Sequence, residues 1–335
     1  KNLLKIIKFS LTNFFKIYKN FLICYCLSTM NQTKSDKFNI LLTNDDGFNA
    51  DGINALFDVF NTPQNQQKYN VVAVAPNSNR SGIGTALTLI SPIEINKIKN
   101  NFYSLDANPV DCVITAMNGI LQQFDDLQFL PDLVISGINN GSNFSQTIWS
   151  SGTVSAAVYA SQVYQIPALA VSLAYDVERF FAKEFNYEEK YESPNYQQAA
   201  QVILNIVENI TLQKQKQNQN QNQNQQNFLL NINIPNQINQ NSKIKFCDFI
   251  KLDAFERSKI LATNSPRKSN LFWLPNIRLN REILLKNSQN SDIVAVLQNN
   301  IAITPLFDKY DFDSDSDSNS NSNSFKYLEN IEIKI

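Results

Sequence analysis

Two adjacent carboxylates, Asp45 and Asp46, follow a short apolar run and precede Gly47. Within residues 39–43, Ile40, Leu41 and Leu42 are apolar without alternation, which is typical of a buried strand in a parallel sheet. The acids therefore stand at the carboxyl end of a strand, where open α/β sheets bind their ligands. Two carboxylates about 4 Å apart repel by roughly 4 kcal/mol at an effective dielectric constant of 20, so the pair needs a shared proton or a cation. The alternative is a solvated turn.

The amino-acid composition limits which catalytic groups and metal ligands can accompany the two aspartates. The chain has 335 residues and no histidine, which excludes serine–histidine triads, histidine general bases and His-rich metal sites. Its four cysteines show neither zinc-ligand spacing nor a dense disulfide pattern. A metal would therefore be held by carboxylate, amide, hydroxyl or water oxygens, which favours Mg²⁺, Mn²⁺ or Ca²⁺. The net charge of −1 gives no electrostatic argument for a nucleic acid duplex as a partner.

Three further polar turns, over residues 75–82, 136–143 and 151–153, follow or precede elements of the same predicted sheet. They offer small hydroxyl and amide side chains and glycines. Glycine lets the backbone approach an anion, and the start of a helix presents unpaired N–H groups to it. Together with the two aspartates, these turns suit a cation and a phosphate held side by side.

Apolar runs and amphipathic segments alternate along the chain, which predicts an α/β fold with a mostly parallel, Rossmann-like sheet and helices on both faces. The predicted strands and helices are as follows: strands over 39–43, 70–75, 133–136, 168–172 and 228–235, and helices from about 51 and over 110–121, 153–164 and 196–209.

The same patterns divide the chain into parts. Residues 1–37 are a targeting or non-native extension, and residues 38–240 form the α/β core. Within the core, residues 213–227 are almost pure Gln, Asn and Lys and are predicted to be a disordered insertion. Residues 241–310 are a β-rich C-terminal part of the same domain, and 311–335 are a low-complexity tail.

Residues 1–29 contain no acid and five lysines. Three interpretations stay open: a basic amphipathic helix for a membrane surface or an organelle, a signal peptide whose apolar part is 21–27, or a non-native segment. The run 21–27 is too short to span a bilayer. We expect a cytoplasmic core, with an organelle or secreted location only if this leader is native, and membrane contact only through residues 1–29.

Residues 39–53, NILLTNDDGFNADGI, closely resemble the opening of the SurE (survival protein E) nucleotidase family. Further motifs come in the order and spacing of that family: VAPNSNRSG over 74–82, PVDC over 109–112, PDLVISGIN over 131–139 and SGTV over 151–154. The predicted later strands, 228–235 and 301–306, resemble the corresponding strands of the family less closely.

The resemblance implies a metal-dependent phosphomonoesterase of acid-phosphatase type that hydrolyses nucleoside 5′-monophosphates, with 3′-monophosphates left open. It implies a homodimer or homotetramer, formed through the β-rich C-terminal part. Mg²⁺ or Mn²⁺ would be bound by the residues that match the family's ligands, and phosphate by a second set. The metal set is Asp45, Asp46, Ser81 and Asn139; the phosphate set is Asn143, Ser151, Gly152 and Thr153; Asn44 and Gly47 shape the loop.

Asp45 and Asp46 are also the catalytic candidates. Either aspartate accepts the proton of the attacking water or attacks phosphorus itself, and both alternatives stay open. Asp111 is predicted to cap a helix rather than to act in catalysis. Arg80 is either a phosphate contact or an exposed loop residue.

The chain departs from the family pattern at four places. Ala107-Asn108 replaces Gly-Thr, Ser145 replaces a loop glycine, Ser150 replaces an aromatic residue, and Tyr159 replaces a glutamate. None of these removes a predicted metal ligand. The last two affect the expected nucleoside pocket, so they put substrate preference in question.

Two other functions are weighed against the phosphatase. Residues 82–86, GIGTA, match a dinucleotide-binding loop poorly, because a long polar turn precedes them and no acid ends a strand about 20 residues later. An oxidoreductase is therefore disfavoured. A catalytically inactive SurE-like assembly protein is the second alternative, and the intact set of four predicted metal ligands argues against it.

Overall fold

The computed structural model describes residues 37–175, 177, 193–219, 227–249, 263–264, 272–273, 281–306 and 328. The described residues from Phe38 onward belong to one compact unit. The predicted extension over 1–37 lies outside the described residues except for Lys37, and the predicted tail over 311–335 lies outside them except for Leu328.

A nine-stranded sheet forms the centre of the protein. In chain order the strands are β1 (Phe38–Thr43), β2 (Tyr69–Pro76), β3 (Ile95–Lys99), β4 (Phe102–Leu105), β5 (Leu133–Asn140), β6 (Ala168–Ala174), β7 (Leu229–Pro235), β8 (Ile244–Phe246), β9 (Thr263–Asn264), β10 (Phe272–Trp273) and β11 (Ile301–Pro305). The order across the sheet is β3-β4-β2-β1-β5-β6-β7-β11-β8, and β9 and β10 pair separately.

Six adjacent strands of this sheet run parallel, in the order β4, β2, β1, β5, β6 and β7. In contrast, β3 pairs antiparallel with β4, and β11 pairs antiparallel with β7. The predicted α/β fold with a mostly parallel sheet is confirmed. β1 lies between β2 and β5, so the chain leaves the centre of the sheet in one direction and later returns on the other side. The carboxyl end of β1 is thus a topological switch point, the place where open α/β sheets bind ligands.

Helices cover both faces of this sheet. They are α1 (Asp51–Phe60), α2 (Pro109–Met117), α3 (Ile120–Asp125), α4 (Gly152–Tyr164), α5 (Tyr196–Gln219), α6 (Arg281–Asn287) and α7 (Asp292–Leu297). Ile40 and Leu42 of β1 pack with apolar residues of α1 and α5, whereas Leu41 packs with those of α2 and α4. A strand buried on both sides in this way explains the uninterrupted apolar run that the sequence shows.

Two predicted boundaries are corrected near the site. The predicted helix over 110–121 is two helices, because Gly119 adopts a φ of +68° between α2 and α3. The predicted strand over 133–136 continues to Asn140, so the first five of the eight residues of the predicted turn over 136–143 are strand. Asn139 therefore sits in β5 itself, and its position is set by pairing with Ser172 of β6.

The prediction of a disordered insertion over 213–227 is wrong at its start. α5 continues through Gln219, and Nζ of Lys214 lies 2.7 Å from Oδ1 of Asp132, the residue that precedes β5. Residues 220–226 lie outside the described part of the chain. Asp132 also accepts a hydrogen bond from the backbone N–H of Asn39 at 2.9 Å, so this end of α5 is tied to the start of the central strands.

Several elements were not predicted from the sequence. The β3–β4 hairpin extends one edge of the sheet, and the C-terminal part contains α6 and α7 as well as strands. β8 and β11 join the central sheet instead of forming a sheet of their own. No helix in the described ranges combines the length and the apolar character needed to cross a membrane.

Candidate functional site

The loop after β1 is closed by Asn44. Its side-chain N–H donates to the Gly47 carbonyl at 2.9 Å, and its Oδ1 accepts from the Gly47 N–H at 3.2 Å. Gly47 has a φ of +100°, and a Cβ there would lie 3.2 Å from the carbonyl carbon of Ser78. The position therefore favours glycine on both conformational and steric grounds. These contacts are consistent with the supporting roles predicted for Asn44 and Gly47.

Asp45 is buried, with 2% of its surface exposed. The Thr153 hydroxyl donates a hydrogen bond to its Oδ1, and the backbone amides of Gly152 and Thr153 also stabilise its charged form. Burial nevertheless raises the pKa of the Asp45 carboxyl above its ordinary value. A carboxylate surrounded by donors but removed from water is well placed to accept a cation.

Asp46 is only partly buried and is held from two directions. Its Oδ2 accepts from the Asn140 N–H at 2.8 Å, and its Oδ1 accepts from the Asn79 side chain at 3.3 Å. Burial, and then the neighbouring charge of Asp45, raise the pKa of Asp46 to about 6. The charge of Asp45 therefore disfavours the ionisation of Asp46, in line with the repulsion between adjacent carboxylates that the sequence predicted.

Asn139 faces the same place from β5. Its Nδ2 donates to the Gly141 carbonyl at 2.8 Å, and its Oδ1 lies 3.2 Å from the Thr153 hydroxyl. Since that hydroxyl also contacts Asp45, the structure brings Asn139, Thr153 and Asp45 together. The amide oxygen of Asn139 is on the side of the carboxylates, as a metal ligand requires.

The turn after β2 closes over the aspartates through its backbone. The Arg80 N–H donates to the Asp45 carbonyl at 2.6 Å, and the N–H of the exposed Ser81 donates to Oδ1 of Asn79 at 2.9 Å. These bonds place the turn that carries Ser81 beside the pair. The Arg80 guanidinium pairs with Asp106 at 3.1 Å, so the structure assigns it a salt bridge rather than a free loop position.

The donor chemistry of this group fits a hard divalent cation. Two carboxylates, an amide oxygen and a hydroxyl are oxygen ligands of the kind that Mg²⁺ and Mn²⁺ prefer. Within the described ranges, no group of three or more His, Cys, Asp or Glu side chains could hold a metal ion. A cation at this site would therefore rely on amide, hydroxyl and water oxygens besides the two aspartates.

The start of α4 lies directly against Asp45. A Cβ on Gly152 would be 2.8 Å from Cβ and 2.9 Å from Oδ2 of Asp45, so only glycine fits. The Ser151 hydroxyl oxygen accepts from the Val154 N–H at 3.1 Å as the helix cap, which leaves the hydroxyl proton able to donate to an anion. The Thr153 side chain, predicted to bind phosphate, contacts Asp45 in this structure.

Asn143 is held by residues that sequence reasoning missed. Its backbone contacts Asn231 and Asn233 of β7, and its Nδ2 donates to the Ser172 hydroxyl of β6 at 2.8 Å. All three partners are essentially buried. The signal in the sequence was the pair of asparagines alternating with isoleucine inside the otherwise apolar strand over 228–235.

Asp111 caps α2, as predicted. Its Oδ2 accepts from the Asn108 N–H at 2.9 Å in a capping box, and both of its oxygens accept from the Thr88 N–H at 3.1 Å. Asp111 thus also anchors the segment that follows Ser81. Asn108 is one of the two residues that depart from the family pattern here, and it serves as the helix cap.

The other departures follow Asn143 or flank and follow Ser151 in the sequence. Ser145 has a φ of +43°, the left-handed conformation that a loop glycine adopts without strain. Ser150 is exposed and small, and the exposed Trp149 lies next to it with its ring centroid 6.2 Å from that of Phe249. The Tyr159 ring lies 5.9 Å from the Tyr164 ring on α4.

Comparison with known proteins shows the family of this chain. A family model described as "Survival protein SurE" matches residues 40–255. This chain belongs to the SurE family. The match spans every predicted site residue and β1 to β7 of the sheet.

Individual members of the SurE family align over most of their length. A 5′-nucleotidase SurE of Variovorax paradoxus is 33% identical over 268 residues, covering 80% of this chain and 90% of the relative. One of Geotalea daltonii is 32% identical over 267 residues, covering 80% and 92%. The crystal structure of the SurE protein from Aquifex aeolicus superposes with a TM-score of 0.61 at 29% identity, covering 82% of this chain and 95% of the other.

Proposed function

We propose that this chain is a metal-dependent phosphatase that hydrolyses nucleoside 5′-monophosphates to nucleoside and phosphate. The observation that carries the proposal is the contact of Asp45 with the start of α4 and, through Thr153, with Asn139. This contact sets an acidic, oxygen-rich site beside a helix N-terminus that suits an anion. SurE relatives carrying the name 5′-nucleotidase support the activity.

Asp45, Asp46, Ser81 and Asn139 would hold the cation, with Mg²⁺ or Mn²⁺ as the expected metal. When bound, such a cation neutralises charge on a phosphoryl oxygen and lowers the pKa of a coordinated water. Two features support this assignment. Burial raises the pKa of Asp45, and burial together with the charge of Asp45 raises that of Asp46. The Asn139 oxygen is oriented toward Thr153.

The chain's own groups bind and orient the phosphate. The Asn143 amide and the Ser151 hydroxyl proton are donors to its oxygens, and the amides at the start of α4 add positive potential. Asp46 is the more exposed of the two aspartates and is oriented by Asn140 and Asn79. It either accepts the proton of the attacking water or attacks phosphorus. A substrate whose phosphorus is made chiral with oxygen isotopes distinguishes the two, since direct attack by water inverts the configuration at phosphorus and two successive displacements retain it.

The test is phosphate release by the full chain from a panel of nucleoside 5′- and 3′-monophosphates, each with EDTA, Mg²⁺ or Mn²⁺. We expect release that disappears with EDTA and returns with metal, and the panel measures whether 3′-monophosphates are further substrates. No release under any condition, from protein shown to be folded, would overturn the proposal in favour of an inactive assembly protein.

We further propose that the chain forms a homodimer or homotetramer through its C-terminal part. The resemblance to the SurE family supports this assembly. Light scattering coupled to size exclusion measures it directly, and a monomeric mass at micromolar concentration would contradict it.

A further inference from the structure

The loop that carries Asn143 is fastened to β7 by side chains. Oδ1 of Asn233 accepts from the Asn143 N–H at 3.0 Å, and Nδ2 of Asn233 donates to the Asn143 carbonyl at 2.9 Å. One carboxamide thus pairs with both backbone groups of a single residue, as the backbone of a neighbouring strand would. Nδ2 of Asn231 donates to the same carbonyl at 2.8 Å.

These contacts form one buried row across the sheet. Ser172 of β6 is in register with Asn233 of β7, and Asn231 lies two residues away on the same face. Asn231 and Asn233 are 1% and 0% exposed, and Asn143 is 7% exposed. Polar groups buried this deeply destabilise a fold unless they are hydrogen-bonded. Both polar atoms of the Asn233 side chain find their partners in Asn143, whereas Asn231 contributes only its Nδ2, and its Oδ1 has no hydrogen-bond partner among the described residues.

The row also fixes the Asn143 side chain. Its carboxamide nitrogen carries two N–H bonds, and one of them points to the Ser172 hydroxyl oxygen at 2.8 Å. With the backbone held by Asn233 and one N–H held by Ser172, the direction of the second N–H is determined before any ligand arrives. Preorganised donors of this kind bind an anion without a reorganisation cost.

We propose that Asn233 is a positioning residue for phosphate binding, which acts through Asn143. The inference rests on the proposed function, in which Asn143 is a phosphate ligand. It brings β7, a strand some 90 residues away in the sequence, into the function of the site.

Kinetics of Asn233→Ala test the proposal against those of Asn231→Ala. In Asn233→Ala, the KM for a nucleoside monophosphate and the inhibition constant of inorganic phosphate both rise about tenfold, equivalent to about 1.4 kcal/mol, while kcat changes less. Asn231→Ala is the matched control, because it lies on the same strand with the same burial but leaves the Asn143 carbonyl paired with Asn233. It changes both constants by less than about threefold.

A double-mutant cycle with Asn143→Ala separates positioning from a general effect on the fold. If Asn233 acts through the Asn143 side chain, adding Asn233→Ala to Asn143→Ala weakens phosphate binding by less than about twofold. Multiplication of the two single effects would overturn the proposal. Ser172→Ala provides a milder variant if Asn233→Ala does not fold, and it shifts the phosphate constant in the same direction.

Calorimetric titration of the Mg²⁺-loaded protein with inorganic phosphate distinguishes this inference from the proposed function. If Asn233→Ala binds phosphate as tightly as the wild type, the positioning role is wrong whatever the enzyme hydrolyses. If the wild type binds phosphate but hydrolyses no nucleotide, the proposed function fails, and weaker binding by Asn233→Ala still supports positioning. A wild type that binds no phosphate contradicts both.

Discussion

Gly152 packs so closely against Asp45 that a Cβ on the glycine would lie 2.8 Å from Cβ of the aspartate and 2.9 Å from its Oδ2. The first turn of α4 and the end of β1 are therefore in direct contact at the point where the chemistry is proposed. Neither element can shift without moving the other. The proposed metal ligands at the end of β1 and the proposed phosphate ligands at the start of α4 are therefore positioned by the same contact.

Gly152→Ala is expected to displace Asp45 and lower kcat by roughly 10²-fold, since a shift of about 1 Å at a reacting group has effects of this size. The measurement is steady-state turnover of a nucleoside monophosphate with Mg²⁺. Gly119→Ala is the control for a glycine replaced without a steric clash, because Gly119 has a φ of +68° but no neighbour closer than 3.8 Å to its Cβ position. It loses about 1 kcal/mol of stability and keeps its turnover. Wild-type kcat in Gly152→Ala would contradict the assignment.

Much of the site could be predicted from the sequence, because its residues lie in short motifs of neighbouring residues. The apolar run before Asp45 predicts a strand buried on both faces, and the adjacent acids and Gly47 predict a turn at its carboxyl end. The resemblance to the SurE family then placed Asn139 and Gly152 at the same edge of the sheet. The structure brings these residues together, and the family assignment is confirmed by comparison.

The contacts that were missed join distant parts of the chain. The partners of Asn143 lie on β6 and β7, and no periodicity in the sequence reports that a strand asparagine faces a loop about 90 residues earlier. Lys214 lies in a segment whose Gln- and Asn-rich composition predicts disorder, yet it pairs with Asp132, which is 82 residues earlier in the sequence. In both cases tertiary contacts determine the local structure, and sequence composition alone does not predict such contacts.

Asp45→Asn is expected to reduce metal-dependent turnover by at least about 10²-fold without unfolding the protein. The substitution removes one of two repelling buried carboxylates and keeps an oxygen for the Thr153 hydroxyl, so the melting temperature in EDTA should not fall. Circular dichroism melting and phosphate release measure the two effects. Asp58→Asn, at an exposed position, serves as the control. Turnover equal to that of the wild type would exclude Asp45 from the site.

Deleting residues 213–227 is expected to leave turnover unchanged, since in the described part of this segment Lys214 contacts Asp132 and Asn227 contacts Ser161, neither of which belongs to the site. It should lower stability, because it removes Lys214, whose Nζ lies 2.7 Å from Asp132 and 5.0 Å from the centre of the Phe38 ring. A partly exposed ion pair and a cation–π contact together contribute about 1 kcal/mol. Lys214→Met should reproduce most of this loss in urea unfolding, and loss of phosphatase activity in the deletion would contradict the prediction.

Asp292 gives the stability of the protein a dependence on pH. Its carboxyl is buried at the first position of α7, where it accepts from the Ser145 N–H at 3.2 Å and the Ile293 N–H at 2.9 Å. Burial raises the pKa of Asp292 to about 6. The nearby Cys247 thiol stays neutral over this range, since burial and the charges of Asp292 and Asp248 raise its pKa to about 12.

Because the folded pKa of Asp292 exceeds the unfolded value, the native state holds this proton over a range where the unfolded chain has released it. The contribution of Asp292 to stability is therefore present below about pH 4 and is lost as pH rises to about 6, by about 3 kcal/mol. Asp292→Asn cannot titrate and should not show this decline. Urea unfolding of both proteins between pH 4 and 7 in EDTA measures the decline as a difference in the free energy of unfolding. The contributions of Asp45 and Asp46 cancel in this difference, because both aspartates are present in the two proteins. A stability difference between variant and wild type that does not change with pH would show that Asp292 is ionised in the native state throughout.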